Sequence, residues 1–137
     1  MGKRERTRGA DFEREVCSLW NRLGIEMRRT ASAQAAGESR SDADIVPLYH
    51  HTADDDIGHL FLNMLAHRFH HELKRRKKVY PSTQIVAEIQ RVRVEAHKRG
   101  KIPALTFRLD NCEPMIVLPL KEVMERFGKK EFTDGLD

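Results

Sequence analysis

Between Phe69 and Lys78 the chain reads Phe-His-His-Glu-Leu-Lys-Arg-Arg-Lys-Lys, and no other stretch restricts the fold as tightly. Period-two alternation predicts a strand that puts His70, Glu72 and Lys74 on one face and Phe69, His71 and Leu73 on the other. The strand then leaves the core through Arg75, Arg76, Lys77 and Lys78, so its far end must lie at a polar surface. A carboxylate and an ammonium side by side, followed by a positive approach, suit hydrolysis of a phosphodiester. A metal there needs a hard oxygen donor and the polyanion needs cations. A merely solvated strand end carries the same letters, so the weight comes from what the chain sets beside it.

Three segments precede this strand. Phe12, Val16, Leu19, Trp20 and Leu23 recur at helical spacing and Gly24 supplies a stop, which predicts a first helix from Gly9 to Leu23. Glu13 borders that stripe on the side of Val16, Cys17 and Trp20, so it is half-buried and needs a partner: an arginine, Arg14 or Arg29, or a metal. Ile25 to Arg29 reads as a short strand. Thr30 to Ser41, rich in Ala, Ser and Gly, reads as a loop that either closes over a phosphate backbone or simply connects. Asp42 to Leu48 reads as a strand in which Asp44, followed by Ile45 and Val46, enters the core, whereas Asp42 is solvated.

Tyr49 to Gly58, with His50, His51 and Asp54 to Asp56, matches no metal spacing with geometric logic and reads as an exposed acidic loop. His59 to His67 is either a helical turn or the start of the next strand. After the basic run, Pro81 and Ser82 start a helix with Ile85, Val86, Ile89, Val92 and Ala96 inward, ending at Gly100. Arg91, Arg93, Lys98 and Arg99 decorate its other faces. Ile102 to Leu109 and Met115 to Pro119 read as a hairpin, and Leu120 to Phe127 as a last helix. The order predicts an α/β fold with a central mixed sheet flanked by helices. It divides into a basic N-terminal arm (residues 1–8), one domain (9–128) and a polar C-terminal tail (129–137).

Composition narrows the partner. Lys and Arg number 25 against 21 Asp and Glu, a net charge of +4, and the cations cluster at Lys3 to Arg8, Lys74 to Lys78 and Arg91 to Lys101. That clustering favours a polyanion over an acidic small molecule. Cys17 and Cys112 lack ligand spacing and read as reduced, mostly buried thiols. No stretch is apolar enough to span a bilayer, and the charged N-terminus lacks the apolar core of a signal peptide, so an intracellular location is expected.

Gly9-x-x-Phe12-Glu13-Arg14 on a first helix, Arg29 and Ser32 after a first strand, Asp44-Ile45, Glu72-x-Lys74, and the later strand Ile102 to Phe107 together resemble the PD-(D/E)XK nuclease superfamily. Within it they are most similar to archaeal-type Holliday junction resolvases and the related small nucleases of phages. The resemblance covers roughly Gly9 to Phe127 and implies a restriction-endonuclease-like fold. It implies that Asp44, Glu72 and the carbonyl of Leu73 bind Mg2+, with Mn2+ substituting, and that Glu13 completes the acidic site. Lys74 would polarise the attacking water, and Arg29, Ser32, Arg75, Arg76 and Lys77 would contact DNA. Two features depart from the family: Ala43 stands where Pro usually precedes the first acid, and the Tyr49 to His67 stretch lengthens the spacing between Asp44 and Glu72.

The expected function is thus a metal-dependent endonuclease that resolves four-way junctions as a homodimer, phage-encoded or otherwise intracellular. The alternatives are nicking or flap cleavage by the same chemistry, a non-catalytic DNA-binding module, and last a zinc-responsive regulator built on His50, His51, His59, His67, His70 and His71.

Overall fold

The computed structural model describes residues 3–30, 43–48 and 57–128. Helix α1 (Lys3–Arg22) leads to strands β1 (Met27–Arg29) and β2 (Ile45–Pro47), then helix α2 (Ile57–His67) and strand β3 (Phe69–Arg75). Helix α3 (Ser82–Lys98), strands β4 (Ile102–Arg108) and β5 (Met115–Val117) and helix α4 (Leu120–Phe127) complete the order. The five strands lie in sequence order. β1, β2 and β3 are antiparallel neighbours, β3 and β4 are parallel, and β4 and β5 form the hairpin. This is the mixed α/β sheet flanked by helices that the sequence predicts.

The differences have local causes. α1 starts at Lys3, not at Gly9, because Lys3 to Arg8 contains no glycine or proline and is built mainly of good helix formers. Residues 57–67 form three helical turns rather than a strand lead-in, and Ala66 of that helix is fully buried. β2 begins only at Ile45, because the side chain of Asp44 takes up a backbone donor of β3. Val86 points outward, 58% exposed, while Ile89, Val92 and Ala96 carry the buried stripe of α3. Leu19 and Leu23 are also exposed, beside an apolar groove that Met115 and Ile116 of edge strand β5 share. Ser32, Asp42, His50, His51, Asp54 to Asp56 and the tail from 129 lie outside the described residues.

The sheet separates two apolar layers. Phe12, Val16 and Cys17 of α1 pack with Met27, Ile45, Ala66 and Leu73. On the other face Ile89 of α3 packs with Tyr80 and Leu105, and Phe107 adds to that layer. Glu72 is the Cα partner of Leu105 and Lys74 of Phe107, so the two charged side chains lie on the α3 face, as the alternation predicts.

α3 stops at a turn in which Gly100 donates to the His97 carbonyl (3.1 Å) and Lys101 to that of Ala96 (2.9 Å). Gly100 sits at φ 67°, where a side chain is strained even in open space. Gly100→Ala is expected to destabilise the protein by about 1 kcal/mol, read as a lower urea midpoint at unchanged slope.

Candidate active site

Three elements deliver the acids and the lysine. α1 carries Glu13, the residue before β2 is Asp44, and β3 supplies Glu72 and Lys74. Asp44 is tied to β3 twice: its backbone N–H donates to the His71 carbonyl (2.8 Å) and its Oδ2 accepts the Leu73 N–H (2.8 Å). Thr30 holds the other side, its N–H donating to the Asp44 carbonyl (3.1 Å) and its hydroxyl to the Ala43 carbonyl (2.5 Å). The Asp44 backbone is thus held on both flanks, and its carboxyl is oriented by the Leu73 N–H.

Its electrostatics are unusual for a carboxylate. Burial, then the Glu72 charge, push Asp44 up to about 7, and Glu13 adds to the effect; the Leu73 N–H and Lys74 oppose it. Glu72 is also held above its ordinary value, by burial first, against the pull of Arg91 and Lys74. Three acids from separate segments thus act on one point with too little positive charge between them. All the donors are oxygens, the set that a hard divalent cation prefers, so the residues fit Mg2+ or Mn2+. Among the described residues no three potential ligands stand ready as a group. Each outer acid faces a cation of the protein instead.

Glu13 accepts from Arg29 Nε at 2.9 Å, both side chains less than one-fifth exposed. Of the partners open to Glu13 from sequence, Arg29 is the one it takes; Arg14 pairs with Asp11 instead. Glu72 Oε1 accepts from Arg91 at 2.8 Å and lies 3.7 Å from Lys74 Nζ. Lys74 Nζ is also 3.6 Å from Glu88 Oε1, and Arg91 bonds Glu88 in turn. Glu72, Lys74, Glu88 and Arg91 make a closed ring of alternating charge. Glu88 sits below the ordinary carboxylate value: partial burial works against this, and the Arg91 hydrogen bond and Lys74 outweigh it.

Sequence reasoning missed Glu88 and Arg91 as site residues. The signal was present: Glu88 follows Ile85 by three and precedes Val92 by four, so it borders the buried stripe of α3, the argument that singles out Glu13 on α1.

The basic run behaves unevenly. Arg75 is tied to Asp110 (2.6 Å) and donates to the Arg76 carbonyl, and Arg76 lies 4.8 Å over the Tyr80 ring, so both are engaged within the fold. Lys77 and Lys78 are exposed. An open cleft of about 690 Å3 runs between Arg8 and Glu15 of α1 and the ends of β3 and β4 at Arg75 and Arg108. Arg108 and Glu15 bond across it.

Among the described residues the histidines form no metal-binding group. His70 and His71 are both buried on opposite faces of β3, which separates them as ligands of one ion. Cys17 is buried and its thiol is pushed up to about 11 by burial and by Glu13, so it stays protonated. Cys112 is exposed, against expectation, because the hairpin turn carries it to the surface.

No protein-family model matches the chain, and no curated protein sequence matches it. Among solved structures it is similar to Hjc, a Holliday junction resolvase from Archaeoglobus fulgidus. The two share 16% identity over 81% of this chain and 75% of the other, with a TM-score of 0.44. None of the helices among the described residues is long and apolar enough to cross a membrane.

Proposed function

We propose that the chain is a metal-dependent DNA endonuclease that cuts branched DNA by phosphodiester hydrolysis, most concretely a four-way junction resolvase. The observation that carries this reading is Asp44: a carboxyl oriented by the Leu73 N–H, desolvated, and pressed by Glu72 and Glu13 beside the Lys74 ammonium. Such crowding is what a bound cation would relieve, and strongly shifted carboxyls concentrate at functional sites.

Asp44 and Glu72 would hold Mg2+, with the Leu73 carbonyl as a further oxygen and Glu13 closing the set. The ion supplies Lewis acidity toward a phosphoryl oxygen and a more acidic bound water. Asp44 presents its carboxyl in one orientation, because the Leu73 N–H occupies Oδ2. Lys74, restrained between Glu72 and Glu88, keeps its ammonium aimed at the acids, where it can orient water and offset charge building on the phosphate. Lys77 and Lys78 supply the exposed positive approach, joined by Ser32 and the more engaged Arg29, Arg75 and Arg76 where DNA displaces their partners. Two equivalent cuts across a junction call for two such sites and so for a symmetric homodimer.

The test is incubation of the purified protein with a labelled four-way junction and a linear duplex of the same sequence, with Mg2+, Mn2+ or chelator. Metal-dependent paired nicks in the junction alone support the resolvase reading. Equal cutting of duplex or flap substrates moves the assignment to a nuclease for other DNA forms, and salt-sensitive binding with no product in either metal moves it to a binding module.

A further inference from the structure

We propose that Arg91 is a built-in occupant of the metal's place at Glu72, a guanidinium latch that must let go before the carboxylate can bind a divalent cation. The inference rests on the reading of Asp44 and Glu72 as metal ligands and adds a residue that neither the sequence motif nor that reading contains.

Three observations carry it. First, the Glu72 side chain is only 15% exposed, yet the group that neutralises it comes from outside: Arg91 reaches across from α3 with its side chain 58% exposed. A long, mostly solvated side chain closing over a half-buried carboxylate is easily withdrawn, because its guanidinium regains water when it leaves. Second, Arg91 bonds both Glu72 and Glu88, and the Glu88 bond is a contact within one helix, three residues apart. Release from Glu72 therefore leaves the guanidinium with a partner and needs no movement of α3. Third, Lys74 makes the same pair of contacts, to Glu72 and to Glu88. Glu72 thus keeps the ammonium when the guanidinium departs, and one positive charge is exchanged for an incoming dication with no buried acid left bare.

Arg91 is in this account a positioning residue: it acts through Glu72. Its retention lowers the apparent affinity for the metal by the fraction of molecules in which Glu72 is already free. Arg91→Ala removes the competitor and is expected to bind Mn2+ about five- to tenfold more tightly than the wild type. An exposed side chain can be truncated without threatening the fold. Lys98→Ala takes the same charge from the same helix two turns away, where Lys98 pairs only with Glu95 among the described contacts, and is expected to leave Mn2+ affinity unchanged.

The experiment is calorimetric titration of Mn2+ alone into the full chain, in the absence of DNA, for the wild type, Arg91→Ala, Lys98→Ala and Glu72→Gln. Tighter binding by Arg91→Ala alone, with binding weakened in Glu72→Gln, supports the latch. If the wild type binds Mn2+ through Glu72 and Arg91→Ala binds equally or more weakly, the latch is wrong while the nuclease reading stands. Equal tightening in Lys98→Ala reduces the effect to overall charge and overturns it too. If neither the wild type nor Arg91→Ala binds Mn2+, both readings fall, whereas binding by Arg91→Ala alone would be the latch in its strongest form.

Discussion

Asp44→Asn is expected to abolish cleavage, by about a thousandfold or more, while making the metal-free protein more stable at pH 8. The two effects have one cause. Asparagine keeps an oxygen for the Leu73 N–H, so the tie to β3 survives, but it carries no charge for a metal or for the repulsion from Glu72. The sign follows from the direction of the shift. Asp44 titrates at about 7 in the folded chain and near 3.8 in the unfolded one, so its contribution to stability is complete below 3.8 and lost as pH rises through 7. At pH 8 the wild type bears that loss in full and the variant does not. Melting at pH 8 with chelator should rise by roughly 5 °C in Asp44→Asn, and added Mg2+ should raise the wild type but leave the variant where it was. A variant that melts below the wild type at pH 8 would remove the electrostatic argument, whatever its activity.

The second large effect is expected on the acid side and comes from His71. Its ring is 1% exposed, edge-on to Trp20 with centroids 5.9 Å apart, and Nε2 lies 2.9 Å from the Leu65 carbonyl. A carbonyl only accepts, so Nε2 carries the proton, and Nδ1 is buried with no partner among the described residues. Protonating Nδ1 would strand a charge there, and burial pushes the imidazole down to about 4 from 6.5. Stability is therefore present above 6.5 and is lost as pH falls toward 4, by about 2 to 3 kcal/mol at pH 4.5. Asp44 titrates over the same interval with the opposite sign, so the two partly cancel and the wild type should be flatter between pH 4.5 and 7 than either group alone implies. Urea unfolding of Asp44→Asn at pH 7 and 4.5 exposes the histidine slope. Further replacement with His71→Phe should remove it, and a slope that persists in the double variant would place the acid sensitivity elsewhere.

What the sequence announced, and what it hid, follows from the range of the interactions. Glu72 and Lys74 on one face of β3, the start of α3 at Ser82, and α4 from Leu120 to Phe127 are local consequences of period and punctuation, and all stand in the structure. Asp44 at the entry of a core strand was legible too, because Ile45 and Val46 follow it. The extent of α2 was not, since a short apolar run reads alike as helix or strand until it has a sheet to pack against. The ring through Glu88 and Arg91 was harder still. It joins α3 to β3 across fourteen or more residues, and on the helix alone Arg91 is one solvated cation among several. The fate of Arg75 was equally hidden, because Asp110 reaches it only once the β4–β5 hairpin has formed. Charge runs in a sequence mark where cations are, and tertiary partners decide which of them remain free for a ligand.

The Thr30 contacts to Ala43 and Asp44 bear on how this chain can vary. They knot the two ends of the connection between β1 and β2 directly to one another, immediately upstream of the aspartate. A tie of this kind takes up strain from any change of length between the two positions it joins. Closing a longer loop costs little, about 0.6 kcal/mol for each doubling of its length. Changes of length between Thr30 and Ala43 are thus expected to leave the carboxyl just beyond the tie where it is.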